Sequence, residues 1–80
     1  MNIAQLIKMA NQIGAFFASQ PDPLQAREDL AQHLKRFWDP QMREELYGYL
    51  DAGGGEELSA IVRDALQAHR ELVRPATQRA

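Results

Sequence analysis

The stretch Phe37-Trp38-Asp39-Pro40 decides how this 80-residue chain folds. A proline disfavours helical geometry in the residue before it, and it suits the first position of a helix, where its missing N–H has no intrahelical partner to lose. Asp39 is therefore predicted to cap a new helix, and the preceding helix must end near Trp38. The earlier pair Asp22-Pro23 repeats this arrangement. The sequence thus predicts a sharp corner between helices at each Asp-Pro pair.

Apolar spacing on both sides of these corners predicts four helical segments. Apolar residues recur at i, i+3, i+4 and i+7, as they do on the buried face of an amphipathic helix. The run Gly53-Gly54-Gly55 ends the third segment, and Gly53 suits the left-handed position that follows a helix. The predicted segments span residues 3–19, 23–37, 40–52 and 56–73. Because the glycine link is flexible, the fourth segment either packs back on the others or extends onto a partner.

The predicted fold class is all-α, a small irregular bundle of about four helices with short Asp-Pro-capped corners. We expect a single domain over residues 1–75 and a frayed tail over residues 76–80. Two glycines within the helical segments, Gly14 and Gly48, are expected to allow close approach of another element, although simple tolerance of a glycine also explains Gly14. A chain of this length buries only roughly 60% of the surface of its unfolded form, so a staple or a partner is expected.

Composition narrows the classes of partner and cofactor. The chain has no cysteine, so neither a disulfide nor iron–sulfur or thiolate zinc ligation is expected. A net charge of −2, from 9 basic and 11 acidic residues, does not suit a nucleic-acid binder. The sequence lacks the apolar run of ~18 residues that a membrane span requires. Its first residues lack the features of a secretory signal, so we expect a cytoplasmic protein with no membrane or nucleic-acid partner.

The sequence predicts no catalytic, cofactor-binding or metal-binding residue. His33 and His69 are the only histidines, and an active or metal site would need them to converge with a carboxylate. The acidic pairs Glu44-Glu45 and Glu56-Glu57 do not form a carboxylate dyad, because neighbouring side chains on a helix point about 100° apart. An enzyme in its own right would need a pocket that contains one of the histidines.

The aromatic residues predict a partner-binding surface. Adjacent pairs such as Phe16-Phe17 and Phe37-Trp38 cannot both point into one narrow core, and large exposed apolar patches mark interaction sites. We expect Phe37 to point mostly inward and Trp38 to point partly toward a partner. The alternative is that the bundle buries most of its aromatic rings. The predicted partner-binding residues are Phe16, Phe17, Arg36, Phe37, Trp38, Met42 and Arg43.

Three stretches of the chain resemble the delta subunit of NAD-dependent, molybdenum-containing formate dehydrogenases. The opening motif of that family resembles LIKMANQIGAFF at residues 6–17, and its central motif resembles HLKRFWDPQMR at residues 33–43. The motif after its third helix resembles LDAGG at residues 50–54. Together these stretches cover most of residues 6–66 in the right order, whereas the fourth segment and the tail are less characteristic.

The resemblance implies a non-catalytic accessory subunit of a cytoplasmic complex that oxidises formate and reduces NAD+. Its expected partner is the large catalytic subunit, and the other subunits are expected to carry the molybdenum cofactor, iron–sulfur clusters and FMN. The implied role is to support assembly or stability of the complex, including insertion or retention of the molybdenum cofactor. The residues alone leave an alternative, a free-standing helical interaction module or homodimer, and self-association of the isolated chain agrees with either reading.

Overall fold

The computed structural model describes residues 2–75 and folds them into five α-helices. The helices are α1 (Ile3–Ala18), α2 (Pro23–Phe37), α3 (Pro40–Asp51), α4 (Ala60–Ala68) and α5 (Arg70–Val73). These residues contain no strand, so the all-α class is confirmed. The single domain stays a prediction, and the predicted tail at residues 76–80 lies outside the described residues.

Both Asp-Pro corners form as the sequence predicts. Asp22 Oδ1 accepts a hydrogen bond from the Leu24 N–H at 3.1 Å, and Asp39 Oδ1 accepts one from the Met42 N–H at 2.9 Å. In each case the following proline stands in the first turn of the helix. Each aspartate thus satisfies a backbone donor that has no intrahelical partner, which fixes where α2 and α3 begin.

The fourth helix begins later than predicted, because the Asn11 side chain on α1 holds the backbone that precedes it. Asn11 Nδ2 donates to the Glu57 carbonyl at 2.8 Å, and Asn11 Oδ1 accepts from the Ser59 N–H at 2.8 Å. Residues 56–58 therefore form a turn and a bend rather than a first helical turn. Ser59 is the N-cap residue of α4 and makes no side-chain capping bond of its own.

The link between α3 and α4 is also held from the α4 side. Arg63 Nη1 donates to the Gly55 carbonyl at 2.9 Å and to the Leu58 carbonyl at 3.1 Å. Gly53 adopts a φ of +96°, which confirms its predicted left-handed conformation at the end of α3. The predicted fourth segment is also interrupted at His69, where φ is −118° and ψ is 37°, so α5 is a separate short helix.

Helix α2 lies at the centre of the packing. It packs against α1, α4 and α5, and α1 also packs against α3 and α4. The fourth segment therefore folds back onto the bundle rather than extending away from it. The core consists of Leu6, Ile7, Ala10, Leu30, Ala31, Leu34, Trp38, Leu46, Tyr47, Leu50, Leu58, Val62, Ala65, Leu66 and Val73.

The two helical glycines differ in their surroundings. A Cβ atom on Gly14 would lie 2.6 Å from Val62 Cγ2, so α4 approaches α1 closely at this point, as predicted. A Cβ atom on Gly48 would meet nothing within 4 Å. The expectation of a close approach at Gly48 is therefore wrong, because that side of α3 faces open space.

Ion pairs hold α5 and the residue after it against α3. The Arg70 guanidinium donates to both carboxylate oxygens of Asp51, at 2.8 and 3.0 Å, and lies 5.0 Å from the centre of the Tyr47 ring. Arg74 Nη2 lies 3.4 Å from Glu44 Oε2. The end of the described chain is thus attached to the outer side of α3. None of the helices in residues 2–75 has the length and apolar character that a bilayer crossing requires.

Candidate partner-binding surface

Phe37 and Trp38 point in the opposite directions to those expected. Phe37 is 70% exposed, whereas Trp38 is 5% exposed and belongs to the core. Trp38 still donates its N–H to the Leu34 carbonyl at 3.0 Å, but its own backbone is extended, with φ −90° and ψ 133°. The chain therefore turns out of the helix at Trp38 and carries the indole inward, while Phe37 stays on the last turn of α2.

The exposed Phe37 ring ends a continuous row of aromatic side chains. Phe16 and Phe17 meet edge to face with centroids 5.2 Å apart, and Phe17 meets His33 at 5.7 Å. His33 then meets Phe37 at 4.8 Å. We call these residues, Phe16, Phe17, His33 and Phe37, the aromatic strip. It joins the last turn of α1 to the C-terminal half of α2.

Much of the aromatic strip faces solvent. Phe16 is 72% exposed, and Phe17 and His33 are half-buried. Contiguous exposed apolar surface on a small protein is typical of an interaction site. The predicted partner-binding residues include both phenylalanines of α1 but not His33. The spacing of four residues between His33 and Phe37 indicates that His33 lies beside Phe37, since it puts both on one side of a helix.

Two of the other predicted residues are also accessible. Arg36 is exposed and lies three positions after His33, which places it about 60° from His33 around the helix axis. It therefore borders the aromatic strip. Met42, in the first turn of α3, is half-buried and packs against the core.

Arg43 lies inside the protein, contrary to the expectation of a surface contact. Its side chain donates from Nε to the Trp38 carbonyl at 3.1 Å and from Nη1 to the Val73 carbonyl at 2.6 Å. Arg43 is only 7% exposed. Arg43 and Trp38 together therefore present little surface to a partner in this fold, and the accessible candidates are Phe16, Phe17, Arg36, Phe37 and, in part, Met42.

The histidines do not converge with each other. His33 lies within the aromatic strip, whereas His69 lines an open depression formed by consecutive residues 67–72. A groove of about 390 Å³ between the α1–α2 corner and α4 includes neither histidine in its lining. Within residues 2–75 no group of three or more histidine, cysteine or acidic side chains is placed to hold a metal ion.

Burial and ion pairing shift the pKa of side chains where α3 meets α5. Burial raises the pKa of Tyr47 to about 12. The hydrogen bonds from Arg70 hold the pKa of Asp51 below its usual range, and the same bonds raise the pKa of Arg70. These shifts follow from burial and ion pairing that stabilise the fold.

Comparison with known proteins supplies the identity of the family. Residues 5–66 match the family described as the NADH-dependent formate dehydrogenase delta subunit, FdsD. No curated protein and no solved structure matches the chain. The matched region contains the whole aromatic strip, while α5 lies beyond it. Since the match covers well over half of the sequence, the chain belongs to the delta-subunit family of NADH-dependent formate dehydrogenases and is thus a subunit of a complex.

Proposed function

We propose that the chain is a non-catalytic accessory subunit that docks onto the large catalytic subunit of formate dehydrogenase through the aromatic strip. Membership of the delta-subunit family supports a place in a complex with other subunits. The observation that carries the docking site is the exposure of Phe16 and Phe37, at 72% and 70%, on rings that continue a row reaching the core.

The size of these rings makes docking energetically useful. A phenylalanine side chain buries ~150 Å² or more when fully covered. Covering the exposed part of one such ring is then worth about 2–3 kcal/mol at ~25 cal/mol per Å². Phe16 and Phe37 together supply roughly 5 kcal/mol, a large share of what a specific contact must overcome in lost translational and rotational freedom. Arg36 at the border adds a planar donor, which interfaces favour.

The proposed role is to support assembly or stability of the complex. A subunit that binds the folded catalytic subunit and not its unfolded chain stabilises it by mass action. This role includes insertion or retention of the molybdenum cofactor, which is held, with the iron–sulfur clusters and FMN, by other subunits of a cytoplasmic complex. The delta chain itself holds none of these groups in this proposal.

Serine substitutions at the exposed rings test the docking site. The tagged chain is expressed in its native host in place of the untagged one, as wild type, as Phe16→Ser with Phe37→Ser, and as Leu24→Ser. Leu24 is the matched control, because it is 67% exposed but lies about 180° from His33 around α2. Each tagged chain is affinity-purified, and the eluate is assayed for the other subunits, molybdenum and formate-dependent NAD+ reduction. Circular dichroism of each purified chain alone reports its helicity.

The double serine variant is expected to keep its helicity and lose the other subunits, while Leu24→Ser retains them. Recovery of the complete complex by the double serine variant at the wild-type level would show that docking uses another surface. Molybdenum content that is the same in complexes formed with and without the chain would remove the proposed role in cofactor insertion or retention.

A homodimer that buries the aromatic strip against a second copy is the second candidate. The same exposed rings favour it, since symmetric dimers bury one patch against itself. Sizing of the purified chain over a range of concentrations tests it. A concentration-dependent dimer that Phe16→Ser with Phe37→Ser abolishes supports self-association, whereas a monomer at every concentration argues against it.

A further inference from the structure

We infer that Arg43 fixes the position of Phe37 in the aromatic strip by bonding the Trp38 corner to the end of α5. This inference rests on the proposed docking through the strip. We call Arg43 with the Trp38 and Val73 carbonyls the Arg43 bridge. Arg43 is then a positioning residue for docking and not a contact residue.

The geometry of the Arg43 bridge requires the arginine fork. Nε and Nη1 donate to two carbonyls that lie 35 positions apart in the chain, at 3.1 Å for Trp38 and 2.6 Å for Val73. A guanidinium holds several donors in one rigid plane, whereas a lysine ammonium is a single point on a flexible stem. Because the side chain is 7% exposed, water competes little for these carbonyls.

The bridge acts at the point that decides where Phe37 lies. Phe37 is the last residue of α2, and Trp38 is its C-cap with an extended backbone. The last turn of a helix lacks intrahelical partners for its carbonyls and is where helices fray. Arg43 satisfies the Trp38 carbonyl and so holds the chain in its exit direction. The indole then stays buried and the Phe37 ring stays against His33.

The other end of the bridge is anchored by α5. Val73 is fully buried, and the Arg70 guanidinium holds the same short helix to Asp51 on α3 through a pair of bonds. Helix α5 lies beyond the family match at residues 5–66. A segment outside the matched region thus supports the shape of the surface within it.

Loss of the bridge is expected to lower affinity through the population of the docking-competent form. When only a fraction of molecules presents Phe37 correctly, the apparent dissociation constant rises by the inverse of that fraction. A corner that is correctly placed about a tenth of the time weakens docking about tenfold. Helical content changes little, because α2 and α3 keep their N-cap aspartates, Asp22 and Asp39.

Arg43→Lys tests the inference, with Arg63→Lys as a matched control. Arg63 also donates to two backbone carbonyls from a partly buried side chain, but it holds the link before α4. Each purified full-length variant is titrated against the formate dehydrogenase complex isolated from a strain that lacks this chain. Fluorescence of Trp38, the only tryptophan, reports the corner, and circular dichroism reports the fold.

Arg43→Lys is expected to shift the tryptophan emission to the red and to raise the dissociation constant about tenfold, with helicity retained. Arg63→Lys is expected to keep the wild-type emission and affinity within about twofold. A red shift of Arg43→Lys with wild-type affinity overturns the inference, and so does an unchanged emission with weaker binding. If Arg43→Lys unfolds, Asp51→Asn takes its place, because it removes the Arg70 pair that holds α5 to α3. Wild-type affinity of that variant overturns the inference.

The serine variants separate the two proposals. If Phe16→Ser with Phe37→Ser binds as wild type does, docking through the strip is wrong and the inference falls with it. If the serine variant loses affinity and Arg43→Lys does not, docking stands and only the positioning role of the Arg43 bridge is wrong.

Discussion

The hydroxyl of Tyr47 donates a hydrogen bond to the carbonyl of Leu66 at 2.7 Å and so joins α3 to α4. Leu66 lies in the last turn of α4, where carbonyls have no intrahelical partner. Tyr47 is fully buried, so its hydroxyl also needs a partner within the protein. One bond therefore satisfies two polar groups that folding removes from water.

Tyr47→Phe is expected to lower the free energy of unfolding by about 1–2 kcal/mol, because the ring still fills the core but the Leu66 carbonyl loses its donor. Urea unfolding followed by circular dichroism measures the change. Tyr49→Phe is the matched control, since its hydroxyl only accepts a bond of 3.4 Å from the exposed Glu57 N–H. Equal destabilisation by the two substitutions would contradict a special role for the buried bond.

The buried Tyr47 hydroxyl is expected to make the protein less stable in alkali. Burial raises the pKa of Tyr47 from 10.0 to about 12. Between these values the unfolded chain releases the tyrosine proton and the folded chain retains it, so the free energy of unfolding falls as pH rises. This contribution to the free energy of unfolding is about 2–3 kcal/mol. It is fully present below pH ~10 and is lost above pH ~12. Tyr47→Phe should unfold with a shallower pH dependence, and parallel curves for the two proteins would contradict this prediction.

The pair of Asp51 and Arg70 is expected to cause a smaller loss of stability in acid. The hydrogen bonds from Arg70 hold the pKa of its carboxyl below the usual range. The contribution of this pair is therefore fully present above the unfolded pKa of ~3.9 and is lost as pH falls through the lowered folded value. Because both side chains are partly exposed, the effect is modest and screened by salt. The melting temperatures of wild type and Asp51→Asn should converge in acid. Thermal melts from pH ~6 to ~2, at low and high salt, measure them.

Alanine at the two helical glycines should change stability in opposite directions. Gly14→Ala is expected to cost about 1–3 kcal/mol, because the new Cβ would lie 2.6 Å from Val62 Cγ2 and a valine side chain has little freedom to move aside. Gly48→Ala has open space and should gain about 0.5–1 kcal/mol of helix propensity. Denaturant titrations of both variants give the comparison, and a stabilising Gly14→Ala would show that α1 and α4 are not tightly packed here.

The parts of the fold that the sequence predicts well are those set by nearby residues. Asp22 and Asp39 bond N–H groups two or three positions away, so Asp-Pro pairs show where α2 and α3 begin. The start of α4 was misplaced because it depends on Asn11, which bonds Ser59 at a separation of 48 residues. No local pattern around residues 56–59 reports that contact.

The candidate surface follows the same rule: nearby residues indicate that a ring is exposed, and a distant contact decides which one. Adjacent aromatic residues indicate that one ring of each pair is exposed, and Phe16 and Phe37 are. Which ring of Phe37-Trp38 turns inward depends on the exit direction of the chain after α2, and Arg43 holds that direction through a carbonyl 30 residues away. A short-range pattern therefore indicates that one ring of the pair is exposed but does not choose between Phe37 and Trp38.

Alanine at each of these neighbours should separate stability from docking. Trp38→Ala is expected to cost about 3–5 kcal/mol through the cavity it leaves, most of the stability of a chain this small. Phe37→Ala removes a 70% exposed ring, so its unfolding free energy should change by less than about 1 kcal/mol while capture of the other subunits falls. Circular dichroism melts and pull-downs on both variants make the comparison. If the Trp38→Ala protein melts like wild type and fails only in capture, the indole contacts the partner and is not a core residue.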